Sequence, residues 1–167
     1  EVLLKLYLDQ RQSPERLNEM LKQLNGIFAF AIWDYDAGAL LLARDALGVK
    51  PLYFSSNEKG LAFASEIKAL LPLLPTNEGV KESLFSGLDP QAIDRYLTFL
   101  WCPGQGTPAD NIKKLGPGKG MWVREGTIIE EFVWYRLPVF NTSQANLKKP
   151  NYSNKQTKSD SIRGVEK

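Results

Sequence analysis

Three blocks decide the fold: Ile27-Phe28-Ala29-Phe30-Ala31-Ile32-Trp33, then Arg44-Asp45-Ala46-Leu47-Gly48-Val49-Lys50-Pro51-Leu52-Tyr53, then Phe63-Ala64-Ser65-Glu66-Ile67-Lys68-Ala69-Leu70. The first is apolar at every position, rich in β-formers and too short for a helix core. It predicts a strand covered on both faces, with Phe28, Phe30 and Ile32 on one side and Ile27, Ala29, Ala31 and Trp33 on the other. Asp34-Tyr35-Asp36-Ala37-Gly38 reads as a hairpin turn, with Ala39–Arg44 returning as the next strand. Pro51–Ser55 and Leu61–Ser65 predict a second hairpin around Asn57-Glu58-Lys59-Gly60. Ser65 is placed to cap a short helix, Glu66–Leu71, with Glu66 at its positive end.

Upstream, Glu1–Asp9 has a helical apolar pattern but no capping residue before it. Glu1 is therefore read as a truncation point. Ser13-Pro14 opens a second helix by the cap-then-proline rule. Its stripe is Leu17, Met20, Leu21 and Leu24, and Asn25-Gly26 is expected to stop it in a left-handed turn. Downstream, Pro72–Gly87 reads as a loop. Asp89-Pro90 opens another helix with Ile93, Tyr96, Leu97 and Leu100 as its apolar stripe. Met121–Arg124 and Thr127–Trp134 flank a two-residue turn at Glu125-Gly126. The four tryptophans, 33, 101, 122 and 134, are expected in the core. From Asn141 the chain turns polar and basic, with six Lys/Arg against two Asp/Glu. Too little apolar surface remains there to offset chain entropy, so 141–167 is expected to be a disordered linker, and 1–140 the folded domain.

Composition excludes several classes of function. The formal net charge is +2, which argues against a polyanion binder. No apolar run approaches the length of a membrane span. No nucleic-acid or membrane partner is expected, and the default compartment is the cytoplasm. The chain has no histidine and one cysteine, which removes histidine-assisted nucleophiles and makes a structural zinc site untenable. Cys102 precedes a proline in a loop, with no histidine available and no helix start beside it, and is not read as a nucleophile. Ser86-Gly87-Leu88-Asp89 is a loop and helix cap, since it lacks a doubled glycine and does not follow a strand. Asn141-Thr142-Ser143 and Asn151-Tyr152-Ser153 match the glycosylation triplet but carry no weight without a secretory leader.

Taken together, Leu24–Asp34, the Arg-Asp-x-x-Gly-x-Lys-Pro-Leu-Tyr run at Arg44–Tyr53 and Ser65-Glu66-Ile67-Lys68-Ala69-Leu70 resemble class II glutamine amidotransferases, in particular glutamine-hydrolysing asparagine synthetase. The resemblance covers about residues 1–140. Trp101-Cys102-Pro103-Gly104 and Lys113–Gly118 resemble the region leading toward the synthetase domain. The resemblance implies an α+β fold, part of a four-layer αββα sandwich. It implies a parent that releases ammonia from glutamine and passes it to an ATP-activated aspartate, with ATP and magnesium used in a separate domain and a homodimer possible. In that family an N-terminal cysteine attacks glutamine and its α-amine acts as base, so catalytic and glutamine-binding residues are expected upstream of Glu1, and this chain alone is expected to be inactive.

Arg44, Asp45, Gly48, Lys50, Pro51, Ser65 and Glu66 are then the motif residues. Their first reading is architectural: Asp45 ties the loop backbone, Gly48 supplies a positive φ, Pro51 sets the entry to the next strand, and Arg44 has Asp45 or Glu66 as partner. A functional reading makes Ile27 and Val49 part of an apolar ammonia route. A sister amidotransferase with another carboxylate acceptor, or a non-catalytic scaffold derived from one, are the alternatives. Without the strands of the other half, edges and faces such as Phe28/Phe30/Ile32 are expected to be exposed and the isolated chain prone to aggregation.

Overall fold

A computed structural model describes residues 1–11, 13–73 and 87–138. The expected linker, 141–167, and most of the Pro72–Gly87 loop lie outside the described residues. Glu1–Arg136 form one compact unit.

Two helices come first, α1 (Val2–Gln10) and α2 (Pro14–Gln23). Glu1 gives α1 no side-chain cap, whereas the Ser13 hydroxyl accepts from Arg16 N at 3.2 Å and starts α2. The α2 stripe is buried at Leu17, Met20 and Leu21. Its end differs from expectation. Leu24 leaves the helix in an extended conformation, and neither Asn25 nor Gly26 has a positive φ. The chain needs to run straight into a strand there, so no left-handed reversal is made.

Strands β1 (Ala29–Asp34), β2 (Ala39–Arg44), β6 (Lys119–Arg124) and β7 (Thr127–Val133) form an antiparallel sheet in the order β1-β2-β6-β7. A second sheet, β4-β3-β5, is built from β3 (Tyr53–Asn57), β4 (Gly60–Ala64) and β5 (Lys113–Lys114). Both expected hairpins of the Ala29–Ala64 stretch form, with Ile32 opposite Leu41 and Phe54 opposite Phe63. At the β6–β7 turn Glu125 and Gly126 have φ of 49° and 74°, the double positive φ of a tight two-residue hairpin.

The first sheet has two different faces. Ile32, Leu41, Ala43 and Trp134, with Phe28, Phe30 and Phe132, pack on Tyr7, Leu17, Met20 and Leu21 of the helices. Leu42, Met121 and Val123 of the opposite face pack on Leu52, Phe54 and Leu115, bringing the second sheet against the first. Gly120 leaves the room that the ring of Phe132 occupies across the β6–β7 pair, since a Cβ there would run into that ring. Helix α3 (Ile67–Leu70) packs on β4 and β3 and buries Leu70.

Four expectations need correction. Strand β1 is fully covered on one face only: Phe28, Phe30 and Ile32 are the covered side, while on the other Ala29 packs against the second core but Ile27 (60%), Trp33 (59%) and Ala31 are exposed. Ser65 does not cap α3; the N-cap is Glu66, which makes no side-chain cap bond. Helix α4 (Pro90–Phe99) starts as read, with Asp89 accepting from Gln91 N and Ala92 N, but it buries Ala92, while Tyr96, Leu97 and Leu100 of its expected apolar stripe are exposed. Of the tryptophans, Trp134 is buried and Trp122 half-buried, whereas Trp33 and Trp101 are exposed. For β1, α4 and the two exposed tryptophans the local pattern was apolar, but an apolar pattern does not fix what covers it; at Ser65 the helix starts one residue later than read.

Candidate functional site

The loop from Arg44 to Pro51 is a hub. Asp45 N donates to Phe28 O at 2.8 Å, which continues the β1–β2 ladder by one pair. The Asp45 carboxylate then accepts from Leu47 N (3.1 Å), Val49 N (3.0 Å) and Lys50 N (3.0 Å). Asp45 O accepts from Gly48 N and from Gly118 N of the loop before β6. Burial alone would push the Asp45 carboxyl up, but the backbone amides of Lys50, Val49, Leu47 and Gly48 outweigh it and hold its pKa below the usual carboxylate range.

Arg44 differs from its expected role. Its guanidinium pairs with neither Asp45 nor Glu66. It donates to three carbonyls: Nε to Lys50 O (2.6 Å), Nη1 to Leu115 O (2.6 Å) and Nη2 to Gly48 O (2.5 Å). A planar fork suits three converging carbonyls, which a carboxylate pair would have left unsatisfied. Burial draws the Arg44 pKa down, with Asp45 opposing. Glu66 pairs instead with Lys68 at 2.9 Å on the surface. Gly48 has φ +67°, and a Cβ there would meet Pro117 at 2.9 Å, so both conformation and space call for glycine. Trp134 Nε1 closes the hub by donating to Arg44 O at 3.2 Å.

Ile27 and Val49 are both exposed. The segments that carry them are joined by the Asp45–Phe28 backbone bond. Lys50 contributes its backbone to the hub and keeps its side chain exposed. Pro51 is half-buried and leads into buried Leu52, whose carbonyl accepts from Leu115 N. Ser65 and Glu66 are exposed and lie outside the hub.

A second charged cluster escaped the sequence reading. Asp34, buried at the end of β1, accepts from Tyr7 Oη (2.8 Å), from Arg11 Nη1 at both oxygens (2.9 and 2.8 Å) and from Ala37 N (3.0 Å). Arg11 also reaches Asp36 at 2.8 Å. Burial works against the Asp34 charge; the Ala37 amide, Arg11 and Tyr7 reverse that and bring its pKa to about 2. Burial and then Asp34 push the Tyr7 hydroxyl up. Tyr7, Arg11 and Asp34, with Trp122, Arg124 and Glu130, line a cleft of about 280 Å³. Asp34 was legible only as a turn residue, because Tyr7 and Arg11 lie 27 and 23 positions away.

Cys102 donates to Ala92 O at 3.4 Å, and Lys114 Nζ donates to Cys102 O and lies 5.8 Å from the centre of the Trp101 ring. Desolvation lowers the Lys114 pKa, with Cys102 opposing. This ties the start of the Trp101–Gly106 loop to β5. Among the described residues, no three His, Cys, Asp or Glu side chains converge as metal ligands, no helix is long and apolar enough to cross a membrane, and no buried side-chain nitrogen or oxygen lacks a partner.

The hub, the two antiparallel sheets and the helical cover belong to a glutamine amidotransferase domain, and residues 1–135 match that family. The chain is a member of it. Its relatives narrow the class. Asparagine synthetase 1 (glutamine-hydrolyzing) of Bacillus subtilis strain 168 is 32% identical over 124 residues, 74% of this chain and 17% of the relative. Asparagine synthetase B (glutamine-hydrolyzing) of Escherichia coli K12 is 47% identical over 77 residues, 46% of this chain and 13% of the relative. Asparagine synthetase 3 (glutamine-hydrolyzing) of B. subtilis is 44% identical over 71 residues, 42% of this chain and 11% of the relative. The chain therefore spans a minor part of the relatives it matches.

Proposed function

We propose that this chain is the downstream portion of the glutamine-hydrolysing domain of an asparagine synthetase. The parent releases ammonia from glutamine and delivers it to an ATP-activated aspartate, in the cytoplasm. ATP and magnesium are used in the separate synthetase domain of that parent. The observation that carries this reading is the match to relatives named glutamine-hydrolyzing asparagine synthetases at 32–47% identity. The layering is consistent with it: α1 and α2 pack on one face of the first sheet and the second sheet lies against the other, an arrangement we read as part of a four-layer αββα sandwich.

The role of this portion is structural and vectorial. The chain has no histidine, and its one cysteine is turned to a backbone carbonyl. The nucleophile and the glutamine-binding groups come from elsewhere in the parent, and the 167 residues alone release no ammonia from glutamine. Ile27 and Val49 form apolar wall of the ammonia route, where a polar wall would bind or protonate the cargo. Exposed apolar side chains on neighbouring segments are what such a wall requires before the other side of the route is in place.

The test is a chimera. The residues of the E. coli relative that align with this chain are replaced by this chain's own, and asparagine formation is measured with glutamine and with free ammonia. Retained glutamine-dependent synthesis is expected. A folded chimera that works only with ammonia would overturn the proposal. In the same chimera Ile27→Ala and Val49→Ala should leave glutamine hydrolysis intact and lower the asparagine made per glutamine consumed; an unchanged ratio would remove the route assignment.

A further inference from the structure

One end of the sheet face that α1 covers is hollow. In the cross-strand row Asp34–Ala39–Arg124 the middle residue is an alanine, and its small side chain leaves a floor to the cleft of about 280 Å³. Tyr7 and Arg11 wall the cleft on the α1 side, and Trp122, Arg124, Ile129 and Glu130 wall it across β6 and β7. That volume lies at the small end of ligand pockets, about 300–1,000 Å³, and suits a small metabolite rather than a nucleotide.

The far wall departs from regular strand geometry. Trp122 pairs with Glu130 and Val123 with Ile128, so Ile129 is an extra residue without a cross-strand partner. In a regular strand Ile129 and Glu130 would turn to opposite faces. The bulge brings both to the cleft, while Ile128 packs on the second core. Bulges are enriched beside functional sites, where they re-aim a side chain.

The charges of the cleft fall into two sets. Arg11 is spent on Asp34 and Asp36, and Asp34 is satisfied by Arg11, Tyr7 and Ala37 N. Arg124 and Glu130 form no ion pair among the described residues, with each other or with a third group. Glu130 lies opposite Trp122, and Arg124 is the next residue of β6 on that face, so an available anion and an available cation flank a half-buried indole ring. With Arg11 and Arg124 set against Asp34 and Glu130 the cleft is neutral, which favours neither a polyanion nor a metal cation. It favours a molecule that carries both signs. A carboxylate suits the guanidinium fork of Arg124, an ammonium suits Glu130, and Trp122 with Ile129 offers apolar surface to the remainder.

We propose that this cleft binds a free α-amino acid with an apolar side chain, its carboxylate on Arg124, its ammonium on Glu130 and its side chain against Trp122 and Ile129. The bound molecule bridges β6 and β7 beneath the end of α1.

The test is an NMR titration of the 167-residue chain with L-leucine, followed at the indole N–H of Trp122 and the amides of Ala39, Arg124 and Ile129. Saturable shifts at these groups are expected, with a Kd of about 1 mM or tighter. Leucine methyl ester lacks the carboxylate and N-acetyl-leucine lacks the ammonium, and each should bind at least tenfold more weakly. Arg124→Gln should weaken leucine at least tenfold and leave the ester unchanged. Glu130→Gln should do the same for leucine and leave N-acetyl-leucine unchanged. Both side chains are exposed, so circular dichroism and melting of the variants should match the parent chain; should either unfold, the three ligands on the unaltered chain still decide. Binding is read on the chain itself, whether or not the parent makes asparagine. No saturable shift up to about 20 mM leucine, well above a Kd of about 1 mM, would overturn the proposal. So would equal binding of leucine, the ester and the N-acetyl form, or shifts confined to residues outside the cleft.

Discussion

The two buried aspartates are held in opposite ways. Asp45 is satisfied almost entirely from within its own loop, by amides two, four and five residues on. Asp34 has one local amide, Ala37 N, and takes its remaining bonds from Tyr7 on α1 and Arg11 at its C-terminal end. One carboxylate shapes a loop and the other fastens a helix to a sheet. The difference teaches that a buried charge can be local architecture or long-range glue, and that only the first kind leaves a trace in a short stretch of sequence.

The largest effect is expected where the local hub meets the rest of the domain. Arg44→Ala leaves Lys50 O, Leu115 O and Gly48 O without their donors. Each stranded carbonyl costs about 1–3 kcal/mol, less where water enters, so a loss of about 3–5 kcal/mol is expected in urea unfolding. Arg44→Lys should recover less than half, because one ammonium cannot reach all three carbonyls that the guanidinium fork serves. A loss under about 1 kcal/mol would show that Asp45 alone organises the loop and that the hub is purely local.

Acid titration sharpens the contrast next. The Asp34 pKa is depressed to about 2 in the folded chain against about 3.9 unfolded. A depressed carboxylate stabilises the fold above the unfolded pKa, and that contribution is lost as pH falls from about 4 toward 2, roughly 2.5 kcal/mol in all. Asp45 is depressed too and adds to the same window. Asp34→Asn should therefore lose about 2 kcal/mol at neutral pH and show a shallower fall in stability between pH 4 and pH 2, with Asp45 supplying what slope remains. The variant should also free α1 first, seen as faster amide exchange in Val2–Gln10 than in β2. An unchanged acid slope would mean that the Tyr7–Arg11–Asp34 bonds contribute nothing net.

The same division between near and far explains what could be read from the residues alone. The Ser13-Pro14 and Asp89-Pro90 helix starts, the Glu125-Gly126 turn, the Asp45 loop and the positive φ at Gly48 are each determined within about five residues, and all are seen in the structure. The strand pattern at Ile27–Trp33 gave the element but not its cover, because alternation cannot say whether a second layer arrives. For β1 it arrives along the whole Phe28/Phe30/Ile32 side but on the other side only at Ala29, among the described residues. The α4 stripe misled for the same reason: an apolar periodicity marks a face, and the partner of that face is a separate fact. Arg44 was given a carboxylate partner since charge suggests charge, yet its acceptors include a carbonyl 71 residues away. The Asp34 cluster had no local signature beyond a turn.

The smallest effect makes the finest cut, because it sets two serines with the same sequence argument against each other. Ser13 precedes Pro14 and accepts from Arg16 N at 3.2 Å, whereas Ser65 precedes Glu66 and lies one residue too early, so that Glu66 occupies the cap position of α3 without a side-chain bond. Ser13→Ala should cost about 1 kcal/mol, the usual value of a lost cap. Ser65→Ala removes an exposed hydroxyl that caps nothing, and should stay within about 0.5 kcal/mol. Denaturant midpoints of the two variants, compared at equal slope, measure the difference directly. Equal losses would mean that the short α3 is capped through Ser65 in solution, which would restore the motif's local reading and weaken the claim that Ser65-Glu66 acts only through its place after β4.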